Sequence, residues 1–225
     1  MIKLQNVSKS YFLGEEEVKA VCDVSFEIKE KEYVSILGTS GSGKSTLMYL
    51  IGLLEHPSSG KILLEGKDVS QLSDEELSRI RNNYVGFVFQ SFNLINKFTV
   101  LENVLLPIRY AKDKIDFNPQ KKAEDLLRKL SIHKRKDFFP NNISGGEQQR
   151  ASIARALMMN PKIILADEPT GNLDTKTGDE ILDILEGLNK EFGVTVVLVT
   201  HEKPVAERTR RKLYIRDGHL VKKYL

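Results

Sequence analysis

The chain has 225 residues, 40% of them hydrophobic and 29% charged, which suits one sizeable α/β domain and excludes a disordered or low-complexity protein. Lys and Arg number 34 against 31 Asp and Glu, and the resulting +3 is too small to point to nucleic acid or an anionic lipid surface. A single cysteine, Cys22, excludes an internal disulfide and a cysteine zinc cluster, and reads as a small buried hydrophobe.

Basic residues thicken near the end of the chain (Arg208, Arg210, Arg211, Lys212, Arg216, Lys222, Lys223), a run that reads as a solvated face. The first residues lack a signal-peptide pattern, and no apolar run reaches the roughly 20 residues that span a bilayer. The expected location is therefore the cytosol, with any membrane role reached through a partner.

In chain order, residues 1–7 and 18–28 predict strands from β-branched residues in rough alternation, and 32–37 a short strand ending at a glycine-rich turn. Residues 44–54 predict a helix and 60–64 another strand. Ser73-Asp74-Glu75-Glu76 opens a helix with a capping box, and 85–89 is a strand stopping at Gln90. From 91 to 160 the apolar period becomes helical, with Leu126, Leu127 and Leu130 on one face and a second capping box at Thr99-Val100-Leu101-Glu102. This stretch predicts a helical subdomain inserted into a core made of 1–90 and 161–225. Strand (163–166), helix (177–190) and strand (194–200) then alternate, and 212–215 with 219–221 predict a closing hairpin around Asp217-Gly218. The expected fold is α/β: a mainly parallel sheet, an N-terminal antiparallel β subdomain and the helical insertion, within one domain of 225 residues.

Gly38-Thr39-Ser40-Gly41-Ser42-Gly43-Lys44-Ser45 matches G-x-x-x-x-G-K-[ST] in full, between a strand and a helix, with Thr46 the next helical residue. Glycines let backbone N–H groups turn inward around phosphates, and the helix presents its positive end to the same anion. Lys44 supplies a mobile charge for β- and γ-phosphates, and Ser45 a hydroxyl for Mg²⁺.

Ile163-Ile164-Leu165-Ala166-Asp167-Glu168 is an apolar strand ending in two carboxylates. Alone, such a pair is a loop start or helix cap. Beside a phosphate loop it acquires chemistry, because ligands of open α/β sheets sit at the carboxyl ends of strands. Asp167 then suits the metal, and Glu168 a base or acceptor for an attacking water.

Ile143-Ser144-Gly145-Gly146-Glu147-Gln148-Gln149-Arg150 resembles the signature motif of the ABC ATPases, with Ile143 for the usual Leu and Glu147 for the usual Gln. The same residues form a capping box for a helix over 147–158, and a helix start with two glycines is also an anion site. The resemblance covers nearly the whole chain. It implies that Ser144, Gly145, Gly146 and Glu147 meet the γ-phosphate of ATP held by a second copy, and hence a homodimer formed on ATP binding. It further implies roles for Gln90 as the Q-loop glutamine at Mg²⁺ and water, for Asp174 in Gly171-Asn172-Leu173-Asp174 as part of the D-loop, for His201 as the switch histidine, and for Tyr11 as the aromatic stacked on adenine, with Phe12 as the alternative.

Three phrases, Gly86-Phe87-Val88-Phe89-Gln90-Ser91-Phe92-Asn93-Leu94, Thr99-Val100-Leu101-Glu102-Asn103-Val104 and Asp167-Glu168-Pro169-Thr170-Gly171-Asn172-Leu173-Asp174, are similar to the branch holding lipoprotein-releasing and macrolide-exporting ATPases, with cell-division ATPases nearby. That branch implies hydrolysis of ATP with Mg²⁺ and a separate transmembrane permease subunit, which would hold the chain on the cytoplasmic face of the membrane. The alternative is a regulatory ATPase of a cell-envelope complex that moves no cargo. No sustained heptads mark the coiled coils of relatives that act on DNA or ribosomes.

Overall fold

The computed structural model describes residues 1–223. In chain order the elements are β1 (Ile2–Leu13), β2 (Glu16–Ile28), β3 (Tyr33–Leu37), α1 (Lys44–Ile51), β4 (Ser59–Leu64), β5 (Lys67–Asp68), α2 (Asp74–Tyr84), β6 (Val85–Phe89), α3 (Val100–Arg109), α4 (Pro119–Lys129), α5 (Gly145–Leu157), β7 (Ile163–Asp167), α6 (Thr175–Phe192), β8 (Thr195–Thr200), α7 (Lys203–Glu207), β9 (Arg211–Arg216) and β10 (His219–Val221). Two 3-10 turns, His133–Arg135 and Pro140–Asn142, lead into α5. The chain forms two compact units, Met1–Arg81 with Thr195–Leu225, and Asn82–Val194.

In the first unit, β3 runs parallel to β8 and β9, and every residue of β3 and β8 is buried. Their near-continuous apolar sequence follows from burial on both faces, the condition of central parallel strands. β9 and β10 close antiparallel around Asp217 and Gly218, both at positive φ, as the Asp-Gly pair predicts for a tight hairpin. Arg211 from the basic run is more than solvated surface: it donates to the Glu27 carbonyl at 2.8 Å and pairs with Glu32 at 3.1 Å.

The antiparallel sheet has the order β2-β1-β4-β5. Ile2, Leu4 and Val7 of β1 are buried in alternation, and a bulge with Asn6 at φ 50° shifts the register after Leu4. β1 does not stop at Val7, as its sequence suggested, but continues to Leu13, because residues 9–13 pair with 16–21 of β2. That arm is mostly half-buried or exposed, so its strand character comes from cross-strand pairing rather than from apolar alternation. α1 ends at Ile51, three residues before the predicted end, where Gly52 caps it and its N–H reaches the Met48 carbonyl at 2.8 Å.

In the second unit, β6 and β7 pair in parallel, and no strand lies among residues 91–160. The capping box read at Thr99 is formed: the Glu102 carboxylate accepts from the Thr99 N–H at 2.7 Å while the Thr99 hydroxyl accepts from the Glu102 N–H at 3.2 Å. α6 runs from the Asp174 cap to Gly193 at φ 66°, a left-handed position that suits glycine.

One carboxylate makes the second unit acid-sensitive. Glu124 on α4 accepts from Lys136 at 3.2 Å and from Arg128 at 3.0 Å, with Gln120 and His133 also within reach. These bonds, that of Lys136 foremost, lower its pKa from the usual 4.5 to about 2. A pKa depressed in the fold contributes stability that is present above the unfolded value and lost as pH falls toward the folded one. The melting temperature is therefore expected to drop across the interval from 4.5 to about 2, and Glu124→Gln to show a shallower drop there, read by circular dichroism melts.

Candidate functional site

β3 delivers the chain to the phosphate loop with its side chains fully enclosed, so the loop starts from a rigid base. Gly43 caps α1 at φ 100°, and a Cβ there would strike the Ala20 carbonyl oxygen, so only glycine fits. The loop is held from behind: the Gly218 N–H donates to the Ser42 carbonyl at 3.0 Å, and the Cys22 N–H to the Gly218 carbonyl at 2.8 Å. Lys44 is only 7% exposed and its Nζ donates to the Thr39 carbonyl at 2.7 Å, inside the loop. The Ser42 hydroxyl is buried with no hydrogen-bond partner. The orphaned buried hydroxyl, beside an ammonium folded onto the same loop, is a feature that an anion entering the loop would satisfy. Gly38, Thr39, Ser40, Gly41, Ser45 and Thr46 lie in this same loop and first helical turn.

Two predicted partners lie in the same unit. His201 follows β8, and since Leu37 pairs with Thr200 in the parallel ladder, His201 leaves its strand beside Gly38. Tyr11 stands on the β1–β2 arm. Burial raises its hydroxyl pKa above 10 against a hydrogen bond with Thr46 that acts the other way, and Glu55 adds to the rise. Lys9 lies 5.2 Å from the Tyr11 ring centre and pairs with Glu55 at 2.7 Å. Tyr11 is thus tied to the residue two beyond Lys44, while Phe12 is 72% exposed. Of the two aromatics, Tyr11 is the one built into the loop's surroundings.

In the second unit, the β6–β7 register pairs Phe89 with Asp167. Gln90 and Glu168 therefore emerge side by side at the carboxyl ends of adjacent parallel strands. Glu168 has φ 43°, in the left-handed region that non-glycine residues occupy at a cost of about 1–2 kcal/mol. Its carbonyl accepts from the Gly171 N–H at 3.0 Å, which closes the turn. Gln90 Nε2 faces Asn172 Oδ1 at 3.4 Å, and Asn172 Nδ2 donates to the Gln90 carbonyl at 3.0 Å. A Cβ on Gly171 would lie 2.6 Å from Gln90 Nε2, so any side chain there would push the Gln90 amide aside.

Ser144 caps α5 and is exposed. It forms the predicted capping box, with its N–H donating to Glu147 at 2.9 Å and its hydroxyl accepting from the Glu147 N–H at 3.3 Å. Arg135 Nε donates to the same Glu147 carboxylate at 2.7 Å. Burial pushes the Glu147 pKa up, but Arg135 and the two Ser144 bonds outweigh it and hold the carboxyl below its usual value. Asp174 accepts from the Thr177 N–H at 3.0 Å as the cap of α6, which lowers its pKa.

Three residues to which the sequence assigns no role of their own belong to this neighbourhood: Arg135, Asn172 and the fully buried Gln149, whose Nε2 donates to the Pro169 carbonyl at 2.6 Å. The available signal for Gln149 was a polar residue within the buried stripe of an amphipathic helix. A cavity of about 1030 Å³ holds none of the predicted site residues. Leu126, Leu130, Ile184, Leu188 and Phe192 line it, and the Lys122 and Lys129 ammoniums lie over the Phe117 and Phe192 rings at 4.2 and 5.0 Å.

Among the described residues, no group of three or more His, Cys, Asp or Glu side chains gathers as a metal site. The predicted donors Ser45, Gln90 and Asp167 are a hydroxyl, an amide and one carboxylate. Such a set fits Mg²⁺, which keeps waters and takes phosphate oxygens alongside one or two carboxylates.

Fold and loop together define a P-loop nucleotide-binding protein. Residues 21–171 match the ABC transporter family. The chain is 49% identical to the macrolide export ATP-binding/permease protein MacB of Chlorobaculum tepidum over 98% of its own length and 34% of that protein. It is 48% identical to the ABC transporter ATP-binding protein MJ0796 of Methanocaldococcus jannaschii, over 98% of this chain and 95% of the relative. The dimeric post-hydrolysis structure of the MJ0796 cassette bound to ADP and Pi superimposes with a TM-score of 0.91 at 45% identity, covering 100% of this chain and 98% of that one. This chain belongs to the ABC transporter family and is one of its ATPases. It spans about a third of the length of the MacB ATP-binding/permease proteins it matches.

Proposed function

We propose that the chain hydrolyses ATP with Mg²⁺ as a homodimer and that this drives a separate membrane permease of the lipoprotein-release or macrolide- or peptide-export type. The observation that carries the reading is the exposed start of α5, where Ser144 and two glycines offer an anion site directed away from the chain's own core. The dimeric, ADP- and Pi-bound relative supports pairing, and the MacB relatives support an export partner.

In this cycle Lys44 and Ser45 of one copy, with Ser144 and Gly146 of the other, hold each γ-phosphate. Mg²⁺ supplies neutralisation of phosphate charge; Ser45, Asp167 and Gln90 would hold it. Glu168 accepts a proton from, or orients, the attacking water, and His201 steadies the charge that develops on the phosphoryl oxygens. Tyr11 stacks on the base and Asp174 lies toward the second copy. Residues 91–160 form the helical subdomain that meets the permease, which places the chain on the cytoplasmic face of the membrane. Light scattering of Glu168→Gln with and without ATP–Mg²⁺ tests pairing, and a variant that stays monomeric with ATP removes the composite site.

Arg135 has a predicted effect here. Glu147 puts a carboxylate within the capping box that the partner's γ-phosphate approaches, and Arg135 offsets that charge. Arg135→Ala is expected to weaken ATP-driven dimerisation a few-fold, the range of a part-exposed pair. Glu147→Gln in the same chain should restore it, as measured by analytical ultracentrifugation.

A further inference from the structure

We propose that Gln149, on the signature helix α5, is a positioning residue that holds the segments carrying Gln90 and Glu168 to that helix as one piece. The proposal rests on the roles given above to Gln90 and Glu168.

Gln149 is 0% exposed, and its amide nitrogen donates to two carbonyls, Pro169 at 2.6 Å and Phe89 at 3.3 Å. Pro169 follows Glu168 and Phe89 precedes Gln90. One side-chain NH₂ thus spends both hydrogens on the two strand ends that carry the proposed chemistry. Its Oε1 is buried with no partner. An orphaned buried oxygen is unfavourable, and an apolar side chain would fill the position without that cost. What offsets the cost is what the two hydrogens hold.

The same helix grips the far side of Gln90. The Arg155 guanidinium donates to the Phe92 and Asn93 carbonyls, and these consecutive residues have φ 60° and 49°. A left-handed phenylalanine persists only where its surroundings over-determine it. Gln90 is therefore bracketed by α5 at residue 89 and at residues 92–93, while Asn172 closes the third side. A displacement of α5 at Ser144, where the second copy's nucleotide would engage it, is passed through Gln149 to the backbone at both Gln90 and Glu168. The donor is essential to this role. Methionine matches the length without a donor, and glutamate matches the shape but has no donor when ionised and one when protonated, too few for two carbonyls.

The test uses Gln149→Met and Gln149→Glu, with Asn189→Ala as a structural control. Asn189 is also buried, and it donates to the Val194 carbonyl at 2.9 Å beyond α6. Two quantities are read: amide hydrogen exchange of residues 86–95 and 168–174 in the nucleotide-free protein, and kcat and KM for ATP. Expected in Gln149→Met are faster exchange confined to those two segments and a kcat lower by about tenfold or more with KM little changed, the pattern of misplaced catalytic groups. Asn189→Ala should lower the melting temperature without either effect. If Gln149→Met lowers stability but leaves local exchange and kcat as in the parent, or if Gln149→Glu keeps full protection of both segments, the residue is structural and the proposal fails. Should Gln90→Ala and Glu168→Gln retain parental turnover, the reading of the site fails instead, and the exchange data alone then decide whether Gln149 holds these segments.

Discussion

Glu168→Gln will bind ATP and accumulate as a dimer, with turnover reduced about 10²–10⁴-fold, the contribution of a general base. The substitution keeps side-chain length and the backbone bonds of the turn, so the Glu168 carbonyl still accepts from Gly171. What it removes is a carboxylate held beside Gln90 by the ladder that pairs Phe89 with Asp167. Binding should survive because the phosphate loop belongs to the other compact unit, which the substitution leaves untouched. The left-handed backbone offers a second arm. Glu168→Gly places at φ 43° the residue type that adopts it most readily, so its melting temperature should not fall while its turnover is lost. Light scattering with ATP–Mg²⁺, phosphate release and a thermal melt decide all three. A Glu168→Gln chain that hydrolyses ATP at the parental rate would falsify the assignment.

Lys44→Ala is expected to show the opposite pattern, a folded monomer that neither binds ATP tightly nor dimerises with it. The Lys44 ammonium is buried against the Thr39 carbonyl, inside the loop that a phosphate would fill. A hydrogen bond to a charged group contributes about 1.5–3 kcal/mol, which is about 10–100-fold in affinity. Isothermal titration with ATP reads the loss directly. Parental ATP affinity in Lys44→Ala would move the phosphate site elsewhere.

The two variants separate binding from chemistry, and they show which parts of the site were legible in the residues. The phosphate loop was readable because its requirements are contiguous: glycines where the backbone must turn inward, a lysine and a hydroxyl at the start of a helix. The capping boxes at Ser73, Thr99 and Ser144 were readable for the same reason, since each is a bond between residues three apart. The Asp217-Gly218 hairpin needed only two residues able to take positive φ. β1 runs beyond the end its sequence predicts because residues 9–13 pair through cross-strand neighbours and carry little alternation of their own. Tyr11 sits on that arm, so its link to Thr46 could not be seen in the sequence.

By itself the sequence determined an α/β chain with a P-loop, an acid-ended strand and a signature helix, because local backbone geometry, caps and burial period are set by near neighbours. Only the tertiary structure decided the pairing of Phe89 with Asp167, the left-handed turn at Glu168, the Arg135–Glu147 contact and the grip of Gln149 and Arg155 on the segments around Gln90. Those features depend on ladder register and on which buried carbonyls come within reach of a distant donor. Both are settled by how the whole unit packs, and nothing within a few residues of each position encodes them.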